Sequence, residues 1–254
     1  MTQHAQPRPP ASQEAFGVDF SGAADAGRRI WLAGGPMEGE GLCVRTLLPA
    51  CDLPGSGTKR QPALQSLRAF IAARPHAAFG LDFPFSVPAA CMEGRDWAGY
   101  LAGFADAFAD ADAFQARCRD AAGGRELRRR TDTETRTPFS PYNLRLYRQT
   151  YYGLRDVIAP LVGSGTARVA PMQSPTDAAA VLVEVCPAST VKAMSAEIGE
   201  NLYTGYKGRD AVCRTRRAAI LAAIERKGRL TLDTWALRGA VLDDAGGDAL
   251  DACL

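Results

Sequence analysis

The stretch EAFGVDFSGAADAGRRIWLAGG, residues 14–35, sets a single acid, Asp19, at the end of an apolar run, then gives turn residues and a second apolar run. A polar group left unpaired in such surroundings costs roughly 2–7 kcal/mol and a charge costs more, so Asp19 calls for a hydrogen bond, a counter-charge or a metal. The pattern predicts strands over 15–20 and 28–34 with SGAADAG as the turn, and GGPMEGEG then leads to a third strand over 41–48. Together these make an antiparallel meander.

Outward from the meander, residues 58–74 place Leu64, Leu67, Phe70 and Ile71 at helical spacing, and Pro75 closes the helix. HAAFGLDFPFSVP then reads as a buried strand that ends at or just after Asp82. A helical insertion over about 90–175, with helices near 96–116 and 143–162, separates it from the strand AAAVLVEVCP, which carries Glu184. A helix around 188–197, the loop TGYKGRD, the helix AVCRTRRAAILAAIERKG and the segment DDAGGDALDACL complete the chain. This order is α/β: a three-strand antiparallel meander plus parallel strands in one mixed sheet flanked by helices, as a single domain over 15–254 behind a disordered tail, 1–14. If the later strands run parallel to the first, Asp19, Asp82 and Glu184 all fall at carboxyl ends of adjacent strands, where open α/β sheets place their ligands.

Composition narrows the chemistry. The 254 residues are 46% hydrophobic and carry a formal net charge of +2, so a sizeable core is expected and global charge demands no polyanionic partner. Seven cysteines without a CxxC pair suit reduced thiols in the cytoplasm, and no apolar run is long enough to be a signal peptide or membrane span. With only His4 and His76, and His4 inside the tail, a histidine-based triad or a multi-histidine zinc site is nearly excluded.

Carboxylates remain. Any one strand-end acid could simply cap a turn or helix. Asp244, Asp248 and Asp251 follow i, i+4, i+7 spacing and share a face if they lie on one helix, where the helix dipole alone could account for the first two. A carboxylate cluster without histidine is a ligand set for Mg²⁺ or Mn²⁺, and two such ions can activate water and stabilise the leaving oxygen of a phosphodiester.

The ordered set GVDFSGA, GLDFPFSVP, RRRTDTETRTPFSPYNLRLYRQTYYG, VEVCPAST, YKGRD and DALDA resembles the family known as domain of unknown function 429, predicted nucleases of the ribonuclease H-like fold. The likeness spans nearly the whole chain from about residue 14. It implies Asp19 as the bridging metal ligand, Asp82 as the carboxylate of the second strand and Asp248 with Asp251 as the terminal-helix pair. Glu184 would be a ligand or a contact just outside the ligands. Because DALDACL stops inside the expected final helix, that helix is either short or cut off.

Between Phe114 and Arg155 ten arginines face four acids, interleaved with Tyr142, Tyr147, Tyr151 and Tyr152. The loop RRRTDTETRTPFSPYN, with Arg128, Arg129, Arg130 and Arg136, is expected to contact substrate, and the following helix NLRLYRQTYYGLRD to be a solvated, salt-bridged face. Lys207 and Arg209 could bind a phosphate or be ordinary loop charges, and Ser21 could offer its backbone N–H to a phosphate or serve the hairpin turn. The leading expectation is a metal-dependent phosphodiester hydrolase, a nuclease acting on nucleic acid or a nucleotide. The rivals are an actin-like nucleotide-dependent phosphotransferase, which would need a second glycine-rich phosphate loop, and a non-catalytic nucleic-acid or nucleotide binding module.

Overall fold

The computed structural model describes residues 13–199 and 201–254. Of the expected tail, residues 1–12, with His4, lie outside the described residues, and the first strand begins at Glu14. The strands are β1 (Glu14–Asp19), β2 (Trp31–Glu38), β3 (Gly41–Val44), β4 (Thr46–Pro49), β5 (Ala77–Leu81), β6 (Ala167–Ala170), β7 (Ala180–Glu184) and β8 (Leu230–Leu232). The helices are α1 (Arg60–Ala72), α2 (Trp97–Ala102), α3 (Phe104–Ala107), α4 (Ala111–Ala121), α5 (Arg130–Glu134), α6 (Tyr147–Gly153), α7 (Ala159–Gly163), α8 (Pro187–Ile198), α9 (Ala211–Arg226), α10 (Trp235–Asp243) and α11 (Asp248–Asp251). A π-helical turn, Leu154–Ile158, joins α6 to α7.

The strands form one mixed sheet in the order β6-β7-β5-β1-β2-β3-β8, with β4 also on β2. β1, β5, β7 and β6 are mutually parallel, β2 is antiparallel to β1, β3 and β4, and β8 is parallel to β3. The fold is therefore α/β with helices on both faces. On one face Phe16, Val18, Phe79, Leu81 and Leu182 pack with α1 and the inserted helices; on the other Ala33, Val44 and Leu250 pack with Val191, Ile220 and Ile224. Among the described residues no helix is long and apolar enough to cross a membrane.

Several boundaries differ from the sequence reading for physical reasons. The third meander strand is split at Arg45: Gly34 pairs Thr46 but Met37 pairs Leu42, so one extra residue bulges out between β3 and β4. The expected helix near 96–116 is three short helices, because Asp110 accepts from Ala113 N at 2.8 Å and starts a new one. The region 90–175 is not wholly helical, since β6 lies in it as the edge strand. Residues 229–242, which carry no clear periodicity, supply β8 and α10. The terminal helix is a single turn, and Asp244 is not on it: Asp244 ends α10 and accepts from Gly246 N and Ala249 N, capping α11 from outside.

Gly17 decides how close that last turn can lie. A Cβ there would stand 2.1 Å from the Ala252 carbonyl oxygen, so only glycine lets the chain after α11 rest on β1. Gly163, by contrast, has nothing within 4 Å of a Cβ. We expect Gly17→Ala to destabilise the protein by roughly 1–3 kcal/mol through this overlap, with Gly163→Ala neutral or slightly stabilising. Chemical denaturation of both variants checks this, and equal effects would refute the close-approach account.

Candidate active site

The parallel strands end in step. Asp19 closes β1; Asp82 directly follows β5 and donates its N–H to the Val18 carbonyl at 3.0 Å; Glu184 closes β7 opposite Leu81. Against this edge α11 brings Asp248 and Asp251, and the loop before α9 brings Lys207. All six side chains line one cavity of about 380 Å³.

The charge is poorly balanced. Burial first, then the charges of Asp251, Asp82 and Asp248, hold the Asp19 carboxyl well above its ordinary range, with Lys207 opposing. Burial and the Asp251 charge push Asp82 up to about 7. Asp248 and Asp251 are also raised, chiefly by burial, with Lys207 pulling the other way. Asp251 is the best held of the four: Tyr206 donates its hydroxyl to Oδ1 at 2.9 Å and Lys207 Nζ lies 2.7 Å from Oδ2. Lys207 Nζ stands 3.9 Å from Asp248 Oδ1 as well. Burial works against the charge of Lys207, but Asp251 and its neighbours prevail and keep it protonated above its ordinary range. Among the described residues, neither the Asp19 nor the Asp82 carboxylate accepts a hydrogen bond.

The frame is braced from outside the strands. Gln149 on α6 donates through Nε2 to the Phe20 carbonyl at 2.6 Å and the Asp82 carbonyl at 2.9 Å, strapping together the ends of β1 and β5. Buried Arg217 donates to the carbonyls of Leu242, Tyr206 and Gly208, fixing the loop that presents Lys207.

The structure sorts the remaining expected residues. Ser21 lines the cavity, directly beyond Phe20. Glu184 lines it too, but its oxygens are engaged: Arg129 reaches Oε1 at 2.5 Å and Oε2 at 2.7 Å, and Phe85 N donates to Oε2 at 2.8 Å. Arg129 is buried and also binds Asp132 at 2.5 Å, so it fastens the arginine-rich segment to β7 and leaves no guanidinium edge for substrate. Arg128, Arg130, Arg136 and Arg209 are exposed and do not line the cavity; Arg130 pairs with Glu134. The helix expected to be a solvated face is largely internal, with Tyr147, Thr150 and Tyr151 buried. Tyr142 is buried as well and bonds to Leu127 N and the Arg125 carbonyl, so these rings serve packing. Sequence reasoning missed Gln149, Tyr206, Arg217 and Arg29, which lines the cavity while paired to Asp25. A glutamine between Arg148 and Thr150 carries no signal of its own, and Tyr206 was detectable only as the neighbour of Lys207.

The donor set is all oxygen and short of positive charge, which fits a hard divalent cation. Among the described residues, however, no three His, Cys, Asp or Glu side chains are placed to hold one ion together. The Lys207 ammonium occupies the point between Asp248 and Asp251 where positive charge is needed.

Raised carboxyl pKa values have a defined consequence for stability. In the metal-free protein the folded state holds protons that the unfolded chain has already lost between 3.8 and about 7, so the cluster favours folding below that window and increasingly opposes it as pH rises through it. In EDTA we expect Asp82→Asn to be more stable than the parent at pH 8 by roughly 1–3 kcal/mol, with the difference shrinking toward pH 4. Thermal unfolding across that range reads it, and a pH-independent offset would contradict the titration account.

No family model, no curated protein and no solved structure matches this chain, so its function is argued from the site itself.

Proposed function

We propose that the chain is a metal-dependent phosphodiester hydrolase of ribonuclease H-like architecture, a nuclease acting on nucleic acid or a nucleotide. One observation carries this reading: Asp19, Asp82, Asp248 and Asp251 converge at the carboxyl end of the parallel strands with too little positive charge to balance them. The central position of β1, between the antiparallel β2 and the parallel β5, supports the architecture that the resemblance implies.

In this reading Asp19 is the central ligand, and Asp82, Asp248 and Asp251 complete the set for Mg²⁺ or Mn²⁺. When bound, the metal supplies activation of water and stabilisation of the leaving oxygen. The protein's own groups do the rest. Gln149 holds the two strand ends at a fixed separation, and Tyr206 fixes the Asp251 carboxylate. Lys207, half-exposed, offsets the negative charge of Asp251 and Asp248, and in this reading it would turn to a phosphate oxygen once a metal takes its place. Glu184 acts at one remove, by anchoring Arg129 and the segment that walls the cavity with Thr137 and Phe139.

Cleavage of a labelled panel of single- and double-stranded DNA, RNA, hybrid and branched junction with Mg²⁺ or Mn²⁺ tests the reading. We expect metal-dependent cutting that Asp19→Asn lowers by at least about a hundredfold. Turnover by Asp19→Asn at the parent rate would overturn it. Lys207→Met should bind Mn²⁺ several-fold more tightly by calorimetry, since a competing ammonium is gone, yet cleave more slowly. Weaker Mn²⁺ binding in that variant would show that the ammonium does not occupy the cation's place.

A further inference from the structure

Between Asp52 and Asp82 the chain has no acidic residue, yet it carries Lys59, Arg60, Arg68 and Arg74. Three of these gather in a groove of about 610 Å³ formed by the first two turns of α1, the π-helical turn Leu154–Ile158 and Ala24. Gln61 and Gln65 complete its α1 wall, both exposed.

The positive charge in this groove is largely unspent. Arg155 is neutralised by Asp156, with bonds of 2.7 and 2.9 Å. Among the described residues Lys59, Arg60 and Arg68 have no carboxylate partner. Arg60 donates to the Gly22 carbonyl at 2.9 Å and sits over the Tyr152 ring, its Cζ 3.5 Å from the centroid, while Arg68 donates to the Asp156 carbonyl. A carbonyl orients a guanidinium without cancelling its charge, and the ring stiffens it at little cost to its remaining N–H donors. The groove is thus a set of pre-oriented cations with room beside them.

Its position relative to the carboxylate cavity matters more. Ser21 lines the cavity and Ala24 lines the groove; three residues of chain span at most about 10 Å. Arg60 binds this connecting loop at Gly22, and Arg60 N donates to the Ala24 carbonyl, so the loop is a shared wall. A polyanion whose phosphodiester sits at Asp19 and Asp82 would carry its neighbouring phosphates over this wall toward Lys59, Arg60 and Arg68. A mononucleotide would never reach them.

We infer that the groove walled by α1 and the π-helical turn is a backbone-binding track, and that the substrate is a nucleic-acid strand of several nucleotides. The substrate class rests on the phosphodiesterase reading, whereas binding at the groove does not require turnover.

The test is binding in EDTA, where nothing is cleaved. Fluorescein-labelled DNA and RNA of about 20 nucleotides, single- and double-stranded, are titrated with the full chain at several salt concentrations. Gln61→Glu/Gln65→Glu adds two negative charges to the groove wall without removing a lysine, an arginine or any contact described above. Arg226→Glu, on the exposed end of α9, makes the same change in net charge away from the groove. We expect the double variant to bind at least one of these strands about tenfold more weakly, with a salt dependence shallower by about one to two phosphate contacts. Arg226→Glu should stay close to the parent. Equal weakening by both variants, no binding by the parent, or equally effective displacement by polyglutamate at matched charge would each overturn the inference. Groove-dependent binding without metal-dependent cleavage would retain the track and reject the hydrolase; cleavage insensitive to the groove charges would do the reverse.

Discussion

Like charges crowded at one end of a parallel sheet are what the rest of this molecule has to accommodate. Four aspartates meet there because β1 and β5 end in register and α11 is laid against β1. Burial out of bulk water is the main reason each carboxyl holds its proton more tightly than usual, and the neighbouring like charges add to it. Lys207 is the cation in contact with them, and it compensates one side of the cluster only. A core built purely for stability would not retain this arrangement, so the charge imbalance is itself the strongest pointer to function.

The surrounding structure holds that unfavourable arrangement in place. Gln149 ties two strand ends through their carbonyls, and Arg217 spends a buried guanidinium on three more carbonyls to fix the Lys207 loop. Buried Arg129 bridges buried Asp132 and the more exposed Glu184, a network that fastens the inserted segment over the cavity. Removing one partner from such a network leaves an uncompensated charge, so these residues are coupled in a way that single surface ion pairs are not. They divide the labour cleanly: the aspartates line the cavity with oxygen, while the amide and guanidinium groups behind them hold the backbone that carries those aspartates.

Much of this was legible in the chain. The apolar runs ending in Asp19, Asp82 and Glu184 marked strand ends, and their placement at neighbouring carboxyl ends followed from the alternation of strands with helices. DALDA announced a last acidic turn, and the structure makes it a single one, Asp248–Asp251. The bulge at Arg45, the edge strand β6 and the short β8 were not legible. Short strands and bulges are decided by which neighbour is available for hydrogen bonding, and four or fewer residues carry little periodicity of their own.

The roles of the polar residues divide along the same line. Sequence by itself determined the chemical type of the site, because a chain with two histidines and acids at strand ends has only carboxylates to offer at that position. Tertiary structure decided which charges are free. Arg129 and Glu184 looked like substrate and metal groups but satisfy each other, Arg128, Arg130 and Arg136 face solvent, and Lys207 reaches the cluster from a loop more than a hundred residues distant from Asp82. The physical reason is that a residue's type is local, whereas whether its charge is compensated depends on partners that only the folded chain brings within a few ångströms.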